Sequence, residues 1–258
     1  MQAHIALAHP EPRSFNSHLA RITRQSLESQ GWTVTVSDLY AMGFDPCERA
    51  GHYPARPQHE RFDAQAEQRH ASENGALPPM VAAEIERLDR ADLLVLQYPM
   101  WWHLPPAILK GWFDRVLVYG AVYTSNKRFE NGRFVNRRAM LSVTVGTSRE
   151  TYAFDGRSGD IDLLLWPVNF TLAYVGYSVL SPFVAYGVEA GLRYSSAAVL
   201  EERLKGTELR LASMLRELDR VPVIPFNRMA EWGADGRIKA DAPIHSPFVR
   251  RKQRLDLE

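Results

Sequence analysis

"IALAHPEPRSFNSHLA" (residues 5–20) joins a short apolar run to a proline-bearing polar turn and then to a helical pattern. Ile5-Ala6-Leu7-Ala8 is too short for a helix and shows no polar alternation, which suits a strand buried on both faces. Ser14 stands where a helix N-cap is expected, and the helix it opens should run to about Gln30 and stop at Gly31. The turn between them, His9 to Asn16, has two readings. It is a plain connection, or it is a loop whose backbone N–H groups, Ser14 hydroxyl and Asn16 amide face an anion at the helix N-terminus. The stretch alone leaves both open.

The rest of the chain repeats the same alternation. "WTVTVSDL" (32–39) reads as a second strand, and "MVAAEIERLDRA" (80–91), apolar at Val81, Ile85 and Leu88, as an amphipathic helix after Pro78-Pro79. "DLLVLQYP" (92–99) is the most apolar strand and the expected centre of the sheet. The helix "PPAILKGWFDRVL" (105–117) follows, then the strand "AMLSVTVG" (139–146). "GDIDLLLWPVNFTLAYV" (159–175) reads as a helix with a kink expected at Pro167. A fifth strand, "YSVLSPFVAYGV" (177–188), and a closing helix at 195–215 complete the series. Residues 41–78 show no sustained period and read as a long surface excursion. The expectation is an α/β domain over 1–220, a parallel sheet covered by helices on both faces. The Pro- and Gly-rich stretch 221–258, with a turn at Ala234-Asp235-Gly236, reads as an extension packed on the domain or on a partner subunit.

Composition narrows the function. A formal charge of +1 over 258 residues gives no electrostatic case for nucleic acid or an anionic membrane, and the basic run at 248–254 reads as a solvated tail. With one cysteine, Cys47, no intrachain disulfide can form, and no Cys/His spacing suits a metal. No basic n-region with a long apolar stretch opens the chain and no apolar run reaches 18 residues, so neither secretion nor membrane insertion is expected, and the compartment read from this is the cytoplasm.

Ligands of parallel sheets bind beyond the C-terminal strand ends, where the loops 9–16, 98–104 and 144–152 fall. Neither Gly-x-Gly-x-x-Gly nor a P-loop is present, which argues against a nicotinamide-type Rossmann site and nucleotide hydrolysis. "YPMWWHLPP" (98–106) sets two indoles and His103 between stiffening prolines, a flat platform for a conjugated ring. "TVGTSRETY" (144–152) adds hydroxyls, a glycine and Tyr152 for a heterocycle's carbonyls and nitrogens. Together the loops suit a flavin better than any metal. His9 as an ordinary hydrogen-bonded loop residue, Trp112 and Phe113 as core or dimer interface, and an inert Cys47 complete the reading.

Four blocks, "HPEPRSFN" (9–16), "GWTVTVSDLYAMGFDP" (31–46), "PAILKGWFDRV" (106–116) and "GDIDLLLWPVN" (159–169), resemble the flavodoxin-like NAD(P)H:quinone oxidoreductases, and the tail resembles that of bacterial members. The resemblance covers most of residues 3–190. It implies a five-stranded sheet in 2-1-3-4-5 order, FAD as cofactor with FMN as the alternative, NAD(P)H as co-substrate, and a homodimer with sites at the interface. It also implies a two-step (ping-pong) cycle in which hydride passes from NAD(P)H through flavin N5 to a quinone. By position, His9, Ser14, Phe15 and Asn16 would hold the pyrophosphate side. Met100, Trp101, Trp102 and His103 would line the isoalloxazine, with Thr144, Val145, Gly146, Thr147 and Tyr152 at its polar edge. Tyr152 would be the catalytic group, and Tyr123, Ser125, Trp102 and Ser158 would face the substrate. The chain departs from the family at several places. Ser158 replaces a histidine expected to pair with Tyr152, leaving Arg157 or Arg149 as fixed cations. Ser125 replaces a pocket tyrosine, His103 stands where Phe is common, and Ser196, with Arg193 nearby, replaces an adenine-contacting arginine. Two alternatives remain: an azo- or nitroaromatic reductase on the same flavin, or a soluble ancillary subunit of a potassium-efflux antiporter.

Overall fold

In a computed structural model, which describes residues 1–56, 60–189 and 195–251, strands and helices alternate as the apolar pattern requires. In chain order they are β1 (Gln2–Leu7), α1 (Phe15–Glu28), β2 (Thr33–Asp38), α2 (Ala64–Glu73), α3 (Pro79–Arg90) and β3 (Leu93–Pro99). Then follow α4 (Ala107–Val116), β4 (Arg138–Thr144), α5 (Ile161–Tyr174), β5 (Ser178–Val179), β6 (Phe183–Ala185) and α6 (Ala197–Arg216). All strand pairs are parallel and the sheet order is β2-β1-β3-β4-β5, with β6 also paired to β4.

Burial on both faces explains the unbroken apolar runs. Every residue of β3 is buried, and its side chains divide by parity. Leu93 and Val95 join Leu19, Leu27, Leu211 and Leu215 under α1 and α6, while Leu94, Leu96 and Tyr98 join Ile85, Leu88, Leu109 and Trp112 under α3 and α4. Trp112 is fully buried and Phe113 nearly so, which makes the pair core. The second face carries a fully buried carboxylate. Glu84 of α3 accepts hydrogen bonds from Ser37 Oγ at 2.7 Å and Trp112 Nε1 at 2.8 Å, pairs with Arg87, and lies 3.8 Å from His4 Nε2.

Two expectations need correction. The 41–78 excursion contains α2, capped by Asp63 and burying Glu67, Gln68 and Ala71. Its buried face is held by polar bonds: Arg56 Nε to Glu67 Oε1 at 2.9 Å, and Gln68 Nε2 to Glu48 Oε2 at 2.9 Å and Asp114 O at 3.1 Å. A helix with so polar a buried face has no apolar period to read. The single fifth strand is two short ones, because Pro182 has no N–H to give and the Ser181 N–H goes to Pro222 O instead of to β4. α5 runs as one helix through Pro167.

Residues 222–226 lie along this edge of the sheet. Ile224 N–H bonds Val179 O, Leu180 bridges Val223, and Phe226 packs 4.9 Å from Trp166. The expected turn forms at Gly236 (φ +77°), with Gly233 N–H to Arg237 O closing it. Among the described residues no helix is long and apolar enough to cross a membrane.

Candidate functional site

The three loops singled out above do leave the same end of the sheet, after β1, β3 and β4, and a buried polar chain ties their roots together. Gln97 Nε2 donates to Asn16 Oδ1 at 2.8 Å, and Asn16 Nδ2 donates to Thr144 Oγ1 at 2.8 Å. All three are at most 4% exposed. A buried amide left unpaired is costly, so the chain fixes α1, β3 and β4 relative to one another. Asn16 and Thr144 therefore act as ties whose side chains are directed inward.

Ser14 caps α1, accepting from Ser17 N–H at 3.1 Å, which leaves the N–H groups of Phe15 and Asn16 without an intrahelical acceptor. In the same loop His9 Nδ1 accepts the Glu11 N–H at 3.0 Å, so its neutral ring carries the proton on Nε2. Burial holds His9 below the usual imidazole range, against the opposing effect of Glu11 and Asp38. Its ring meets Trp101 edge-on at 5.9 Å, joining the first loop to the second. Phe15 stacks on His18 at 5.7 Å and faces Leu200 and Leu204 of α6 across a cavity of about 560 Å³.

The second loop is a two-residue reversal. Trp101 and Leu104 exchange both backbone hydrogen bonds, at 2.9 and 3.0 Å, while Trp102 (φ +53°) and His103 (φ +63°) occupy the left-handed region. That geometry favours Asn-Gly, and two bulky residues there are strained. Trp102 is 93% exposed, so no burial compensates. The indoles are thus not core. Met100, half-buried, continues the β3–β4 ladder through its N–H to Thr144 O.

In the third loop Val145 points inward at 2% exposure, its N–H bonded to Ala185 O and its carbonyl to Val188 N–H. Gly146 is exposed, and the nearest atom a Cβ there would meet is 3.9 Å away. Thr147 Oγ1 is buried and has no hydrogen-bond partner. Tyr152 is half-buried, 6.4 Å from Tyr186, and Ser158 N–H returns to Thr151 O at 3.0 Å. Gly156 is required here, since a Cβ would lie 2.4 Å from the Glu150 and Thr151 carbonyl oxygens.

Two expected pocket residues are not brought to these loops. Tyr123 OH accepts from Gln65 Nε2 of α2 at 3.2 Å, and its ring packs against Tyr119 and Tyr174. Ser125 is exposed in the same segment. Arg193 lies outside the described residues. Sequence reasoning missed Gln97, whose signal was one amide in an otherwise apolar strand. It also missed Arg203 and Arg210 of α6, which border a cavity shared with Gly146 and Thr147.

The residues fit a flavin: an exposed aromatic turn, an open glycine, an unpartnered buried hydroxyl and a helix N-terminus converge at one sheet end. Comparison with known proteins agrees. A family described by its flavodoxin-like fold matches residues 1–208. The chain is 38% identical over 218 residues to "NAD(P)H dehydrogenase [quinone] 1" of Cavia porcellus, covering 84% of this chain and 78% of that one. A structure from Klebsiella pneumoniae, provisionally assigned as a quinone reductase, superimposes with a TM-score of 0.80 at 34% identity, over 90% of this chain and 91% of the other. General stress protein 14 of Treponema denticola, solved in complex with FMN, gives 0.58 at 25% identity, over 84% and 99%.

Proposed function

Because this chain belongs to the flavodoxin-like NAD(P)H:quinone oxidoreductase family, we propose that it is a flavin-dependent enzyme that takes a hydride from NAD(P)H and passes it to a quinone in two steps at one pocket. The observation that carries this reading is the convergence of three loops, braced by Gln97–Asn16–Thr144, around an exposed and strained Trp102-His103 turn. FAD is the cofactor we assign, with FMN as the alternative; when bound it would supply the resident carrier that holds the hydride between the departure of one co-substrate and the arrival of the other.

The protein's part is to bind and orient. His9, Ser14, Phe15 and Asn16 form the anion-facing loop and helix start, suited to a pyrophosphate. Met100, Trp101, Trp102 and His103 offer the flat platform, and Gly146, Thr147 and Tyr152 the polar edge, with Thr144 and Val145 supporting them from beneath. Hydride transfer needs no protein nucleophile, so orientation does most of the work. Tyr152 offers a hydroxyl where negative charge would gather. Arg149, whose carbonyl accepts the Tyr152 N–H at 3.0 Å, brings a permanent cation to the loop in which Ser158 replaces the expected histidine. Residues 1–220 carry this machinery, and 221–258 form the extension.

Tyr123 and Ser125 belong to the substrate pocket only if a second copy of the chain presents them, which is why we assign a homodimer. The quinone gains two electrons and two protons to become the hydroquinone, one proton coming from solvent. The test is direct. Acid-released cofactor should have the mass of FAD, and steady-state rates with NADH and a benzoquinone should give parallel double-reciprocal lines. No bound flavin, or intersecting lines, overturns the assignment.

A further inference from the structure

A cavity of about 820 Å³ opens between the Gly146–Arg149 loop, the chain beyond β6 (Tyr186, Gly187, Glu189) and one face of α6. No residue of the 9–16 or 100–103 loops lines it. Among the described residues four arginines border it, Arg149, Arg157, Arg203 and Arg210, against the one carboxylate of Glu189. That carboxylate is already engaged. Glu189 Oε1 accepts from Arg203 Nη1 at 3.0 Å and Ser195 Oγ at 2.7 Å, and its Oε2 accepts from Ser195 N at 3.1 Å. Arg203 is thereby neutralised and also holds Gly187 O at 3.1 Å. Arg149 feels Glu150 and Asp162 from its own side. The guanidinium groups of Arg157 and Arg210 have neither a carboxylate within 4.0 Å nor a hydrogen bond among the described residues, and both residues are exposed. Arg210 lies only over the Phe183 ring, 5.4 Å from its centroid.

Arg157 and Arg210, cations on one cavity with no ion-pair partner within 4.0 Å, repel each other, and a multiply charged anion relieves the repulsion while gaining charge-assisted bonds. The volume is that of a small-molecule site, too large for a lone inorganic ion. Gly146 and Thr147 form both a wall of this cavity and the proposed polar edge of the flavin. A dinucleotide whose nicotinamide lies over the flavin therefore has this cavity within its span.

We propose that the cavity takes the phosphorylated adenosine end of NADPH, with the 2′-phosphate between Arg157 and Arg210, so that the enzyme prefers NADPH to NADH. The proposal rests on the assignment of Gly146 and Thr147 to the flavin site. The same guanidinium pair suits a sulfonate or phosphate on an electron acceptor, and the test separates the two sources.

Calorimetric titration of the flavin-loaded protein at low ionic strength with 2′,5′-ADP and with 5′-AMP, which differ only by the 2′-phosphate, measures that group alone. The first should bind at least about tenfold more tightly, and each of Arg157→Gln and Arg210→Gln should reduce that ratio by about tenfold. Salt should erode the difference, as exposed charges require. Equal binding of the two probes overturns the proposal. So does loss of flavin from either folded variant, since the cavity would then seat the cofactor's own phosphates. A variant that leaves the probe ratio intact but raises KM for a naphthoquinone sulfonate, and not for an uncharged quinone, assigns the anion site to the acceptor and also overturns it. Bleaching of the flavin by NADH is scored separately, so a failed reductase reading is not confused with a failed phosphate site.

Discussion

Replacing Trp102 by Gly separates what the exposed turn does for the fold from what it does for a ligand. At φ +53° a non-glycine residue costs about 1–2 kcal/mol, and glycine removes that cost. Glycine also raises the entropy of the unfolded chain, returning about 0.5–1 kcal/mol. The 93% exposure of Trp102 means no burial is lost. The balance is a gain of about 0.5–1 kcal/mol for the flavin-free protein, a rise in Tm of about 1–4 °C at this chain length. If the indole is part of a stacking platform, flavin affinity falls instead, by roughly twofold to twelvefold for a lost ring contact of about 0.5–1.5 kcal/mol. Thermal melting of the flavin-free variant, paired with a fluorescence-quench titration of FAD, reads both quantities. A Tm lowered by several degrees would show that the side chain packs. A raised Tm with unchanged FAD affinity would refute the platform itself.

Three further outcomes follow from the same geometry. Asn16→Ala strands the Gln97 amide and the Thr144 hydroxyl, and urea denaturation should record a loss of about 2–4 kcal/mol. Thr147→Val removes a buried hydroxyl without a partner, so urea stability of the flavin-free protein should hold or rise slightly, while FAD binding weakens roughly threefold to tenfold. At Glu84 burial pushes the carboxyl pKa up, but hydrogen bonds from Ser37 and Trp112 and the nearby His4 outweigh it and hold the pKa at about 2. A folded pKa depressed below the unfolded value stabilises the protein above about pH 4.5, and that stability is lost as pH falls through about 2. The contribution is about 3 kcal/mol, and Glu84→Gln should flatten the acid limb of a denaturation profile over that window. A profile parallel to the parent's would contradict this account of Glu84.

The parallel, doubly covered sheet and its helices were legible because Leu93–Tyr98, Ile5–Ala8 and Ala139–Val145 are largely apolar on both faces, whereas the strand order was legible only through the family resemblance. The loops were legible because they had to leave the strands at the same end. α2 was hidden because Arg56, Gln68 and Glu48 do the holding that Leu and Ile do elsewhere. The division of the last strand turned on the one N–H that Pro182 lacks. Within the site, the sequence identified the residue types and could not separate supports from surface. Asn16, Thr144 and Val145 read as cofactor contacts; their side chains are buried beneath the loops, a placement set by packing across three strands, which leaves the Asn16 N–H to face a ligand. Arg203 and Arg210 lie some sixty residues beyond the loop they adjoin, and on α6 they resemble any solvated charge.

The most direct test is the visible spectrum of the purified, flavin-loaded protein under anaerobic conditions, first with NADPH or NADH and then with a simple benzoquinone. The account predicts that the flavin band bleaches with the nicotinamide and returns in full with the quinone, in two separable steps. A bound flavin that neither nicotinamide can bleach would contradict it.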